Sequence, residues 1–298
     1  CYNKAISIDS NFIQAHFNLS LVLLLTSFTK HGWEEYEYRL KKDNYTKNRS
    51  FINYKYWNGS SLDNKILLIY CEQGIGDNIQ FARYIKKIKK NNTKIILFCD
   101  NKLQILFKNF LEIDLIIISD EDIPKIDYYV SLMSLPYIFR EEQMPETYNF
   151  LKPDKKNSLY WYSKLLTEKK LKIGLVWQGD NTHPKDYKRS IPLEKFKPLL
   201  ELKDIEFISL QKDFGSGQIK SNKLEKIIID FFDKGADIEF FQDTLSIIKN
   251  LDLVITVDTA IAHIAATMGK KTWILLSFVP IDFRWGLKNT KTFWYKNV

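Results

Sequence analysis

The chain has 298 residues, 44 Lys and Arg against 36 Asp and Glu, and a formal net charge of +8. Its 45% hydrophobic and 27% charged content excludes a disordered or fibrous polymer and supports a buried core. The basic excess is dispersed among Asn and Ile, as in RYIKKIKKNN at 83–92, and a dispersed charge is not the basic stripe of a nucleic-acid groove. Helix-turn-helix spacing, aromatic-basic strand pairs and zinc spacing are also missing. The three cysteines (Cys1, Cys71, Cys99) form no CxxC and His numbers four, so neither a disulfide framework nor a Cys/His zinc site is readable. The most apolar stretch, LSLVLLLTSF at 19–28, is about half of a membrane span. No basic start or small-residue cleavage site marks a signal peptide. The expected location is cytoplasmic, or peripheral at the inner membrane.

Residues 1–50 are helical in pattern. Ala5, Ile8, Phe12, Ala15, Leu19 and Leu23 recur three or four apart, and Asp9-Ser10-Asn11 interrupts them with capping side chains. The chain opens on Cys1 inside this pattern and closes on TFWYKNV, which reads as a segment cut at both ends.

Residues 51–155 alternate apolar strands at 65–70, 94–99, 115–118 and 128–131 with helices at 79–90 and 103–110. Such alternation specifies a parallel, doubly wound sheet. The first strand runs into CEQGIGDNIQ at 71–80. Gly74 and Gly76 lack the third glycine of a dinucleotide fingerprint, and no Lys-Ser/Thr follows for a P-loop. Asp77 would repel a phosphate but is favoured by a helix dipole. The loop therefore suits a positioned carboxylate, with Gln73, Gly74 and Gly76 letting a substrate come close; Asp77 as a plain cap of a helix from 78 is the bland alternative. The Asp120-Glu121-Asp122 run reads as solvated charge. Polar, proline-bearing residues 140–158 read as a linker.

Residues 156–298 restart the alternation, with strands at 172–177, 205–210, 225–229, 253–257 and 272–276 and helices at 193–200, 244–250 and 260–268. Polar loops fall at the strand ends. VDTAIAHIAATMG at 257–269 takes a strand into Asp258 and Thr259 and then into a helix of small residues from Ala260. Its N-terminal amides would suit a diphosphate, Asp258 a sugar hydroxyl, and His263 a phosphate or the strand loop. WQGDNTHPKDYKRS at 177–190 brings Gln178, Lys188 and Arg189 to another strand end. Gln211 ends a third strand, and Asp243 and Thr244 precede a fourth helix. Phe283-Arg284-Trp285 either lines the nucleotide or seals the core.

The ordered set GWEEYEYRL, WNGSSLDNKILLIYCEQGIGDNIQFARY, SLMSLP, GLVWQGD…KRSIPL, SLQ and VDTAIAHIAATMGKKTW covers nearly the whole chain. It resembles the heptosyltransferase-like (family 9-like) GT-B glycosyltransferases of the bacterial type in which tetratricopeptide repeats precede the catalytic part. Residues 1–50 are similar to the end of one such repeat and the first helix of the next, with Ser10, His16 and Ser20 departing from the usual Pro, Trp and Gly.

The resemblance implies an α/β fold of two tandem Rossmann-like domains after a tetratricopeptide-repeat remnant. Residues 51–155 would be the acceptor domain and 156–298 the nucleotide-sugar donor domain, its closing segment missing. It implies a glycosyltransferase that uses a nucleotide-sugar donor and needs no metal or other cofactor; the first expectation is an inverting enzyme with Asp77 as the base, a cell-envelope glycan being one of the open acceptors. Lys188 would contact the donor phosphates, Asp258-Thr259-Ala260 would cradle diphosphate and sugar, and His263 matches the family His. Partners would be a nucleotide-sugar, a glycan, lipid-linked saccharide or protein acceptor, and a protein recruited through the repeats. A non-catalytic nucleotide-binding scaffold is the competing expectation. A two-Rossmann sugar-phosphate epimerase is weaker, because His16 and His31 lie outside both halves.

Overall fold

The computed structural model describes residues 1–27, 29–42, 49–89, 92–140, 149–165, 170–232, 240–278, 282–287 and 290–298. The chain divides into two compact units. Unit 1 comprises Cys1–Gln104, Phe110–Thr147 and Ile281–Lys296; unit 2 comprises Ile105–Asn109, Tyr148–Pro280 and Asn297–Val298.

Unit 1 holds a five-stranded parallel sheet of β1 (Lys55–Tyr56), β2 (Ile66–Tyr70), β3 (Lys94–Phe98), β4 (Leu115–Ile117) and β5 (Tyr128–Ser131), in the order β1-β5-β2-β3-β4. Leu67, Leu68, Ile69 and Tyr70 are all buried. Consecutive burial means both faces are covered, which is why the strand is a continuous apolar run and not an alternation. Phe51, Leu68, Tyr70, Ile96, Phe98 and Ile117 form one core cluster against this sheet. The sequence pattern does not predict the two-residue β1; it is an edge strand with one half-buried and one exposed residue, too short for an apolar signal. Asp120-Glu121-Asp122 is a surface turn, with Ser119 as its cap and Asp120 accepting from the Ser50 N–H at 3.0 Å.

The N-terminal helices Tyr2–Ile8, Ile13–Thr26 and Lys30–Tyr36 belong to the same unit. A Cβ on Gly32 would stand 2.9 Å from Leu24 Cδ2, so glycine lets the second and third helices approach. His16 is buried, 2.6 Å from Glu35 through Nδ1 and stacked 3.7 Å above Tyr38. It is a structural tie between helices.

Unit 2 holds β6 (Leu171–Val176), β7 (Ile205–Ser209), β8 (Ile228–Ile229), β9 (Leu253–Val257) and β10 (Thr272–Leu275), again parallel, in the order β10-β9-β6-β7-β8. Its core gathers Ile173, Leu175, Trp177, Phe196, Phe207 and Ile255. The expected linker at 140–158 falls in part at 141–148, outside the described residues, and its end is instead a helix, Lys155–Lys164. Asp154 caps it, accepting from Lys156 and Asn157 N–H at 2.9 and 3.1 Å, and Trp161 buries its inner face. The expected helix at 244–250 starts earlier, at Phe240. Asp243 therefore sits inside it, buried, accepting from the Trp161 indole N–H at 2.5 Å; it is a packing partner, not a loop residue.

The units depart from the sequence-based division in more than one place: Ile105–Asn109, counted with the first half, falls in unit 2. Ile281–Lys296, counted with the C-terminal half, packs in unit 1. Aromatic burial is the reason. Trp294 meets Trp33 and Phe81 at centroid separations of 6.4 and 5.5 Å, and Phe283 meets Trp33 and Tyr36 at 6.2 Å. Arg83 Nη1 donates to the Trp294 carbonyl at 2.6 Å. Phe283 thus seals this core, with Arg284 and Trp285 buried beside it in the chain.

Candidate functional site

In a doubly wound sheet, ligands collect at the carboxyl ends of strands where the order reverses. In unit 1 the order reverses between β2 and β5; in unit 2 it reverses between β6 and β9. The loops after these four strands are 71–74, 132–134, 177–190 and 258–259. They carry most of the residues singled out from sequence.

In unit 1, the helix after β2 begins at Ile75 with Gly74 as its N-cap. Asp77 is therefore the third helical residue and not a cap preceding residue 78. Gly74 has no side chain to cap with, so Asp77 Oδ2 reaches back to accept the Gly74 N–H at 3.0 Å. Asp77 Oδ1 pairs with Arg284 Nη2 at 2.6 Å, and the Asp77 side chain keeps 24% exposure. Gln73 is exposed and holds φ of 63°, a left-handed value uncommon outside glycine. Its amide Nε2 donates to the Tyr36 hydroxyl at 3.1 Å. Burial raises the pKa of that hydroxyl, although Arg39 and Arg284 act to lower it.

Below this loop lies a network that sequence reasoning missed. Arg39 donates to Glu72 Oε1 through Nη2 at 2.7 Å and Nε at 3.1 Å, to Ser134 Oγ at 2.8 Å, to Ser131 Oγ at 3.1 Å and to Glu37 Oε1 at 2.6 Å. The Ser131 hydroxyl donates to Glu72 Oε1. Arg39 and Glu72 are each 5% exposed. One buried ion cluster therefore joins GWEEYEYRL, CEQGIGD and SLMSLP. The signal for it was present: an Arg inside an aromatic helix pattern and a Glu at the end of an apolar strand.

In unit 2, Arg189 Nη1 donates to the Asp258 carbonyl at 2.9 Å and Nε to Asp186 Oδ1 at 2.8 Å. The Ser190 hydroxyl donates to Asp186 Oδ2 at 2.7 Å and accepts the Gly179 N–H at 3.0 Å. Arg189 is thus committed to holding the loops after β6 and β9 together. Asp186 and Ser190 are members of this lock that the sequence did not reveal. A Cβ at Gly179 would overlap Asp186 Oδ1 and lie 2.5 Å from Arg189 Nη2, so Gly179→Ala is expected to spread the ion pair and cost about 1–3 kcal/mol, read as a lowered urea midpoint.

Gln211 uses its whole amide on backbone. Oε1 accepts from Trp177 and Gln178 N–H at 3.1 and 2.9 Å, and Nε2 donates to the Gln178 and Phe214 carbonyls at 2.9 and 2.7 Å. The Gln178 side chain accepts from Gln218 Nε2 at 3.0 Å. Lys188 is exposed, its ammonium 5.7 Å from the Tyr187 ring centroid. Thr259 stands at the N-cap position of the helix Ala260–Thr267, where its side chain makes no capping bond; its Oγ1 is 3.2 Å from Thr256 Oγ1. Asp258, Thr259 and Ala260 are half-buried at that helix start. His263 lies one turn in and is buried, 4% exposed.

Among the described residues, no cluster of three or more His, Cys, Asp or Glu is arranged to hold a metal, and no helix is long and apolar enough to cross a membrane.

No protein-family profile matches the chain. It is 24% identical over 284 residues to Protein FlbA of Caulobacter vibrioides, an alignment that takes in 87% of this chain and 47% of that protein. The chain thus spans about half the length of this curated relative. Among solved structures it is similar to a glycosyl transferase family 9 protein from Veillonella parvula, with a TM-score of 0.54, 12% identity, and coverage of 75% of this chain and 84% of that one. It is also similar to the ADP-heptose lps heptosyltransferase II of E. coli, with a TM-score of 0.50, 11% identity, and coverage of 70% and 84%. At these identities the likeness shows the fold: two parallel α/β units of the kind those glycosyltransferases have.

Proposed function

We propose that the protein is a metal-independent, inverting glycosyltransferase that moves a sugar from a nucleotide-sugar to a glycan, lipid-linked saccharide or protein hydroxyl. The carrying observation is that each sheet reverses strand order beside its first long strand, and that the loops and helix starts there hold Asp77 in one unit and Lys188, Asp258, Thr259 and Ala260 in the other. The fold likeness to heptosyltransferases supports it.

In this reading Asp77 removes the acceptor proton as the acceptor oxygen attacks the anomeric carbon. The bond from that carbon to the diphosphate breaks, and the nucleoside diphosphate leaves with the electron pair. Its growing negative charge is met by Lys188 and by the amides opening the helix Ala260–Thr267. Asp258 takes a hydroxyl of the transferred sugar. Gln178, Gln211 and Arg189 hold the loops in shape, and the first-unit glycines keep the acceptor path open. The N-terminal helices form a repeat-like segment that recruits a protein partner.

A screen of UDP-, GDP-, CMP- and ADP-sugars by thermal shift tests the reading, since a ligand bound only by the native state raises Tm. At least one is expected to stabilise the protein, and Lys188→Ala to weaken that ligand about tenfold, the effect of removing one ammonium–phosphate pair at an exposed site. No stabilisation by any nucleotide-sugar or nucleoside diphosphate would overturn it. One observation favours a non-catalytic nucleotide-binding scaffold instead: both Asp77 oxygens already have partners. Stabilisation without donor turnover would select that second reading.

A further inference from the structure

Arg284 comes from the C-terminal segment that packs on unit 1 and is 8% exposed. Its Nη2 donates to Asp77 at 2.6 Å, and its Nη1 donates to both Asp282 oxygens at 2.9 and 3.0 Å. Its guanidinium lies 4.4 Å from the Phe283 ring centroid and 6.0 Å from that of Phe81, the last residue of the helix that carries Asp77. Burial disfavours its charge, but Asp282 and Asp77 more than offset this and raise its pKa above the ordinary value.

Tethering the segment does not require this residue. Phe283 and Trp294 already bury it against Trp33 and Phe81, and Arg83 holds the Trp294 carbonyl. An ion in such a place carries a desolvation cost, while an apolar side chain would seal the core without it. What the guanidinium adds is direction. Gly74 N–H holds one Asp77 oxygen and Arg284 the other. Two bonds on two oxygens fix the plane of the carboxylate, and the side chain remains open to solvent. Asp282 shares the same guanidinium, so the trio keeps a net negative charge and Asp77 is not simply neutralised.

We infer that Arg284 is a positioning residue for Asp77, delivered by the C-terminal segment, that sets the carboxylate plane for proton removal. This rests on the base role proposed above for Asp77. The test uses the full chain with Arg284→Ala and Arg284→Lys, the latter keeping the charge. The first readout is nucleoside diphosphate release from whichever UDP-, GDP-, CMP- or ADP-sugar stabilises the protein. The second is hydrogen exchange of the Gly74 amide, which needs no activity.

Arg284→Ala is expected to lower kcat about 100-fold with donor KM within about threefold, because orientation suffers and binding does not. Arg284→Lys is expected to recover about tenfold of that, and free guanidinium ion to restore part of the Ala variant's rate. Gly74 exchange is expected to accelerate about tenfold in Arg284→Ala and to return toward wild type in Arg284→Lys. An unchanged kcat, a loss in KM alone, or equal losses in both variants that follow a lowered Tm would overturn the inference. If the wild-type chain turns over no donor, the base role fails by itself. The exchange readout then decides the positioning: unchanged Gly74 exchange in Arg284→Ala removes that too.

Discussion

Asp77→Asn is expected to lower donor turnover by about 10²–10⁴-fold, the usual worth of a positioned general base, while nucleotide-sugar binding measured by calorimetry survives. Asn keeps the shape and can still accept the Gly74 N–H, so the helix start is preserved. It cannot take a proton, and it loses the charge that Arg284 meets at 2.6 Å. Donor binding should hold because the residues assigned to it lie in unit 2. Wild-type turnover in the variant would remove Asp77 from the chemistry and leave it the bland role of closing a helix turn.

Arg39→Met is expected to destabilise the protein by about 3–5 kcal/mol, because removing one partner leaves Glu72 as an uncompensated buried charge. The measurement is a urea midpoint at neutral pH. Arg39 donates to Glu37, Glu72, Ser131 and Ser134 together, so the damage should spread to the loop after β2 and the turn after β5. The double variant Arg39→Met with Glu72→Met should regain much of the loss, since an apolar pair of similar volume needs no desolvation of charge. A single variant as stable as wild type would mean that water reaches the cluster.

The apolar strands were legible because their signal is local. ILLIY, KIILF and LVITV are buried along nearly their whole length, and a run of consecutive apolar residues bounded by polar turns has few other uses. Helix starts were less legible. The helix that opens at Ile75 begins ahead of the expected start at 79 because its cap is a glycine, which carries no side-chain signal. The helix Lys155–Lys164 hid among charged residues with only Ser158 and Trp161 buried.

The candidate site was legible as a set of residues and not as a set of roles. Gln211 and Arg189 sit at the strand ends where donor contacts were expected. The Gln211 amide is spent on backbone, and Arg189 gives Nε to Asp186 and Nη1 to the Asp258 carbonyl. A side chain's hydrogen-bond partners depend on where neighbouring strands end, and neighbours in these sheets are far apart in sequence.

By itself, then, the sequence determined two parallel α/β halves, the loops that carry polar chemistry, and the carboxylate placed after two glycines, because strand burial and loop polarity are written in consecutive residues. The tertiary structure alone decided that both sheets reverse at the strands those loops follow. It also decided that Arg39 and Glu72 share one buried cluster, and that Arg284, far along the chain, meets Asp77. These facts follow from strand order and from aromatic burial of the C-terminal segment. Both are long-range choices of packing that no local pattern encodes.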